Sequence, residues 1–135
     1  MVEGQDDPDD DFSVSPRPDA LILFNPVIDN GPNGWGYARV KGRYKEFSPA
    51  HNVGKDAPPA IIFLGSADRL IPVKTIEDFQ AEMRKEGVRC ETVIYPDQPH
   101  GFFNKPPYTT KTLIEADKFL ESLGWLSGPP TLESP

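Results

Sequence analysis

Residues 60–96 read AIIFLGSADRLIPVKTIEDFQAEMRKEGVRCETVIYP. The stretch opens on a solid apolar run, AIIFLG (Ala60 to Gly65), entered from two prolines. It closes on CETVIYP (Cys90 to Pro96), rich in β-branched and aromatic residues, the composition of a strand. Between the runs, Val73, Ile76, Phe79 and Met83 recur at the spacing of one helix face, with charged residues elsewhere. Pro72 suits the first helical position and Gly87 the C-terminal cap. Strand, helix and strand in this order make a βαβ crossover, whose expected product is two parallel strands.

Upstream lies a third apolar run, ALILFNPV (Ala20 to Val27). Alternation would mark a strand with one wet face; an unbroken run marks a strand covered on both faces, as in parallel sheets. Pro26 ends the run too early for a buried helix. Downstream, in TTKTLIEADKFLESLGW, Leu113, Ala116, Leu120 and Leu123 share a helix face, with Thr109 or Thr110 as start cap and Gly124 at the end. The expected fold class is α/β, with about three mainly parallel strands flanked by helices.

The segment 29–57 is rich in Gly, Asn and charge, and is too long for a plain connector. It reads as an excursion with its own role, containing one short helix around Tyr37 to Lys45. Trp35, Tyr37, Tyr44 and Phe47 lie in it and can pack it onto the sheet.

The ends differ from the middle. Residues 1–11 hold six acids and no Lys or Arg, a self-repelling block, so residues 1–17 are expected to form an unstructured acidic head. The proline-rich 127–135 is expected to be a loose tail, which leaves 18–126 as the folded portion. Residues 1–11 supply six of the seven net negative charges, so the acidity says nothing of a substrate. No basic patch suggests nucleic acid, and no window approaches the roughly 20 apolar residues of a membrane helix. The acidic start lacks the basic-then-apolar pattern of a secretory signal. A single cysteine, Cys90, rules out an internal disulfide.

Sites in open α/β sheets form where strands end at their carboxyl edge. Two polar residues fall there. Asp68 follows the strand AIIFLG, and His100 follows CETVIYP, 32 residues later. On parallel neighbouring strands they stand on adjacent loops of one rim. A carboxylate that accepts the Nδ1 proton of an imidazole fixes its tautomer and leaves Nε2 free to take a proton from a nucleophile. Taken singly, each residue is more simply a turn or cap residue; together, at matching strand ends around one crossover, they point to a site.

At this point the chain resembles the α/β-hydrolases over roughly residues 18–126. PPAIIFLGSADRLIPV is similar to the segment carrying the catalytic acid, and YPDQPHGFFN to the segment carrying the catalytic histidine. DALILFNPVID resembles the strand before the acid strand, and FSPAHNV its lead-in. The match is nearest to the carboxylesterase, acetyl-esterase and prolyl-oligopeptidase-like branches. The resemblance implies a partial α/β-hydrolase fold with Asp68 as triad acid and His100 as triad base. It implies an ester substrate, no cofactor, and a substrate pocket near the excursion.

The same family carries its nucleophile in a G-x-S-x-G elbow on an earlier strand. None of Ser13, Ser15, Ser48, Ser66, Ser122, Ser127 and Ser134 sits in that pattern. Cys90 lies at the start of its strand, five residues or roughly 17 Å from the active edge, so it reads as structural. Ser66 is close but is expected to point into packing. Asp97 rivals Asp68 as the acid, and Asp68 is preferred on strand-end geometry and resemblance together. A metal site from His51, His100 and nearby aspartates lacks any recognised ligand spacing. Two functions therefore stand. The chain is the C-terminal segment of a serine ester hydrolase, supplying acid and base, or a non-catalytic truncated or interaction module that keeps the fold. Three strands leave the first one bare, so either a missing N-terminal half or self-association is expected to cover that edge.

Overall fold

The computed structural model describes residues 7–11 and 13–133. The chain order is β1 (Leu21–Phe24), α1 (Tyr37–Val40), α2 (Tyr44–Phe47), β2 (Ala60–Gly65), α3 (Val73–Lys85), β3 (Cys90–Tyr95) and α4 (Tyr108–Ser122). The three strands form one sheet in the order β1-β2-β3, and both pairings are parallel. Leu21 stands opposite Ala60, and Ala60 opposite Cys90, so the strands run in step and their carboxyl ends reach one rim.

The central strand explains the core. All six residues of β2 are buried, and its side chains alternate between two helical layers. Ala60, Ile62 and Leu64 join Ile76, Phe79 and Met83 of α3 on one face. Ile61 and Phe63 join Ala116 and Phe119 of α4 on the other, with Phe102. An apolar side chain at every position of AIIFL is what a strand covered on both faces requires. Burial of each of its Ile, Phe and Leu side chains contributes about 1.5–3 kcal/mol. The strand β1 is only half covered: all four of its residues are intermediate in burial. It pairs with β2 on one side and has no strand partner on the other among the described residues.

Several local details differ from the sequence reading. The expected helix from Tyr37 to Lys45 is broken into α1 and α2 by a 3-10 turn over Lys41–Arg43. Lys41 takes a φ of 47°, which a regular helix cannot absorb. Pro72 precedes α3 as its N-cap instead of opening its first turn, and Gly87, at φ 77°, lies just beyond the C-cap Glu86. Helix α4 starts at Tyr108, so Thr109 and Thr110 lie inside it and cap nothing; the Thr109 hydroxyl donates to the Phe103 carbonyl. Of its expected face, Ala116, Leu120 and Leu123 meet the core and Leu113 does not, while Thr112, Ile114 and Phe119 are buried in addition. Thr112, Ala116 and Phe119 point inwards, while Leu113 is 46% exposed. Thr112 enters the core because its hydroxyl is satisfied on its own helix, by the carbonyls of Tyr108 and Thr109.

Residues 7–11 and 13–17, and 127–133 at the other end, contain no helix or strand. The rest of the expected head and tail, residues 1–6, 12, 134 and 135, lies outside the described residues.

Candidate active site

The rim at the carboxyl ends of the strands gathers one polar residue from each. Asn25 follows β1 directly, Asp68 follows β2 by three residues, and His100 follows β3 by five. Two loops are stitched together to make this happen. The Ala67 amide donates to the Gln98 carbonyl at 3.0 Å, and the Asp97 amide donates to the Ser66 hydroxyl at 2.8 Å. Gly101, with φ 75°, turns the chain immediately after the histidine.

This brings His100 Nδ1 to 2.8 Å from Asp68 Oδ2. The Asp68 side chain is fully buried, while that of His100 is 44% exposed. Nε2 has no hydrogen-bond partner among the described residues. The carboxylate is therefore held and the imidazole faces outwards, the arrangement in which a ring can exchange protons with something placed above the rim.

The carboxylate is saturated. Oδ1 accepts the amides of Leu70 and Ile71 at 2.8 and 3.1 Å. Oδ2 accepts Nδ2 of Asn25 at 2.6 Å as well as the histidine. Burial is the largest single influence on its pKa and raises it. The bonds from Leu70, His100, Ile71 and Asn25 together outweigh burial and hold the group below its ordinary value. Asp68 is thus an anion in place to orient the imidazole and to stabilise its protonated form.

The other sequence candidates fall elsewhere. Asp97 lies three residues from His100, at φ 57°, and makes no bond to that ring among the described residues. Ser66 is exposed, not turned into packing as expected, because it lies beyond the last residue of β2; its hydroxyl is engaged with the Asp97 amide. Cys90 is buried at the first position of β3, at the opposite end of the strand, and burial pushes its thiol up to about 11. His51 sits in the excursion, 4.0 Å from Asp29 and edge-on to Tyr44.

The excursion reaches the active rim through a small cleft of about 130 Å³, lined among others by Ile28, Asp29, Trp35, Leu70 and Ile71. Trp35 is 41% exposed there, and Arg39 lies over its ring at 5.0 Å. Phe47 is 46% exposed, whereas Tyr37 and Tyr44 pack against each other at 6.0 Å. A more open cavity of about 700 Å³ lies between the segments that precede β1 and β2, at the rim away from Asp68 and His100.

Asn25 is the residue that sequence reasoning missed. The apolar-run pattern absorbed it into ALILFNPV. The available signal was a polar residue just before the proline that ends a buried strand, on the same rim as Asp68 and His100.

The chain is similar to known proteins over most of its length. The profile of the Dienelactone hydrolase family matches residues 38–127. An acetylxylan esterase of Xylanibacter ruminicola is 36% identical over 100 residues, covering 64% of this chain and 21% of that protein. A structure of Thermogutta terrifontis esterase 2 phosphoramylated by tabun superposes with a TM-score of 0.85 at 39% identity, over 95% of this chain and 50% of that one. The propionate-bound form of a thermophilic esterase from the same organism, Est2, gives a TM-score of 0.84 at 36% identity, over 96% and 52%. The chain spans about half the length of these solved esterases and a fifth of the curated acetylxylan esterase.

Proposed function

The chain belongs to the Dienelactone hydrolase family, and from that premise we propose that it is the C-terminal, acid-and-base-bearing portion of a serine hydrolase acting on carboxylic esters. The observation that carries the reading is the 2.8 Å contact between a buried Asp68 and an outward-facing His100 at one rim of two parallel neighbours. Residues 18–126 form the catalytic portion, and 29–57 border the substrate side. The propionate-bound relative supports a short acyl group.

In this reading a serine hydroxyl, carried by residues outside this sequence, attacks the ester carbonyl carbon. Its proton passes to His100 Nε2, and the carbonyl electron pair moves onto oxygen. Collapse of the tetrahedral species breaks the bond to the alcohol, which leaves with the proton from Nε2. Water then attacks the acyl-serine and gives a proton to Nε2; collapse breaks the acyl–Oγ bond, the serine oxygen takes that proton back, and the carboxylic acid departs. Asp68 remains ionised throughout and stabilises the imidazolium. The open side of β1 is the seam against which the nucleophile-bearing half packs; without that half, a second copy covers it.

One observation favours a second reading. No serine of the chain sits in a G-x-S-x-G elbow, which suits a module that keeps the fold without the reaction. The coding sequence ahead of residue 1 separates the two. An in-frame G-x-S-x-G on a strand supports the enzyme, and a full-length gene without one supports the module. In a protein that carries the elbow, hydrolysis of p-nitrophenyl acetate and propionate falls by about 10⁴- to 10⁶-fold in His100→Ala. Turnover unchanged in that variant would remove His100 from the mechanism.

A further inference from the structure

Asn25 is 5% exposed, and its amide is spent on the two neighbouring loops. Nδ2 donates to Asp68 Oδ2 at 2.6 Å, and Oδ1 accepts the amide of Gly101 at 3.4 Å. Its own backbone N–H donates to the Phe63 carbonyl at 2.8 Å, continuing the β1–β2 ladder one step past the strand end. A carboxylate only accepts and a backbone N–H only donates, so these two partners dictate which way the side-chain amide is turned.

We propose that Asn25 is a positioning residue for the acid–base pair: its amide orients Asp68 Oδ2 towards His100 and pins the backbone immediately after the histidine. The inference rests on the reading of Asp68 and His100 as acid and base. Oδ1 of Asp68 is occupied by its own loop, so Oδ2 is the oxygen that receives the imidazole. Asn25 fills the second acceptor site of that oxygen and sets the direction left for the ring. Its contact with Gly101 ties β1 to the residue that follows His100, so all three strand ends bear on one contact.

Three demands meet at position 25, and few residue types satisfy them together. The site needs a donor to a carboxylate and an acceptor for a backbone amide. It also needs tolerance of left-handed backbone, since φ is 45°. Asparagine is among the side chains that accept this conformation most readily. Aspartate shares the shape, but it would set a second carboxylate against the first. Alanine would leave a buried lone pair of Asp68 and the Gly101 amide without their partner.

The test uses the 135-residue chain and needs no turnover. Three NMR signals are followed as pH is lowered: the Asp68 carboxyl carbon, the His100 Nδ1 proton and the Asn25 side-chain amide protons. In the wild-type chain, one Asn25 amide proton is expected to shift with the same midpoint as the Asp68 carbon, and this response disappears in Asp68→Asn. In Asn25→Ala the Asp68 midpoint is expected to move up, and the His100 Nδ1 proton to be lost to exchange with solvent. Asn25 amide protons that ignore the Asp68 titration in the wild-type chain overturn the proposal, whether or not the alanine variant folds. An alanine variant that folds with an unmoved midpoint and an intact Nδ1 signal overturns it as well. Either result would leave the ester-hydrolase reading standing. Conversely, a full-length protein whose turnover ignores His100→Ala removes that reading without altering the Asn25 signals.

Discussion

Gly65 lies directly against the backbone of Gln98: a Cβ at position 65 would sit 2.0 Å from the Gln98 carbonyl oxygen and 2.6 Å from its carbon. This close approach lets the loop after β2 meet the loop after β3, and so lets Asp68 reach His100. The same carbonyl accepts the Ala67 amide, so the two strands of backbone are in contact as well as hydrogen-bonded.

Gly65→Ala is therefore expected to force the two loops apart, because backbone atoms cannot swing aside as a flexible side chain can. The expected cost is about 2–4 kcal/mol in urea unfolding, at the upper end for single substitutions. The Asp68–His100 contact is expected to open at the same time, seen as loss of the protected His100 Nδ1 proton. A variant within about 0.5 kcal/mol of wild type would show that the loops relax freely.

Acid should act on the fold through Asp68. Its native pKa lies below that of the unfolded chain, about 3.9 for a free aspartate. Between those two values the unfolded state binds the proton and the native state does not, so stability rises with pH across the window. The contribution is complete above the unfolded value and disappears as pH falls through the native one. Asp68→Asn is expected to be less stable at neutral pH and to lose less on acidification below about pH 5. Unfolding curves collected from pH 7 down to about pH 2 measure the difference; parallel slopes for the two proteins would contradict it.

The parts of this structure legible in the sequence are those where one physical demand dominates. AIIFLG is buried on both faces, and only a solid apolar run satisfies that, so the central strand and its crossover are readable. Parallel strands put Asp68 and His100 on one rim, and the resemblance to the α/β-hydrolases singles them out among the polar residues there. The illegible parts are those where a polar group is satisfied locally. Thr112 counts as surface in any hydropathy pattern, yet it is 1% exposed because its hydroxyl bonds to its own helix. Leu113, its neighbour in sequence, reads as core and is 46% exposed. Asn25 was hidden for the same reason: its partners lie 43 and 76 residues away, and no local pattern encodes them. Lys41 breaks the excursion helix with a backbone angle that lysine carries no signal for.

Cys90 is expected to be inert in the folded chain. It is 3% exposed, and burial raises its thiol to about 11, against a free value near 8.5. At pH 8 the thiolate fraction drops by roughly two orders of magnitude from that shift alone. Reaction with a disulfide reagent such as DTNB should be slow in buffer and rapid in urea. A fast native reaction would place the thiol in solvent and would also disturb the amino end of β3.

The open edge of β1 carries the last prediction. Leu21 and Asn25 send their backbone N–H groups towards β2, to the carbonyls of Pro59 and Phe63. Backbone groups alternate along a strand, so those of Ile22 and Phe24 point the other way, where no strand lies among the described residues. The β1 side chains are half-exposed, so the edge combines unmet hydrogen bonds with apolar surface, the combination that recruits another strand. The chain purified alone is expected to run in light scattering as a dimer or larger, above its 15.0 kDa monomer mass. Ile22→Pro removes one outward donor without touching the β2 ladder, and should move the population towards monomer with its far-UV spectrum retained. A wild-type chain that stays monomeric and soluble at hundreds of micromolar would show that this edge is protected by something other than a partner strand.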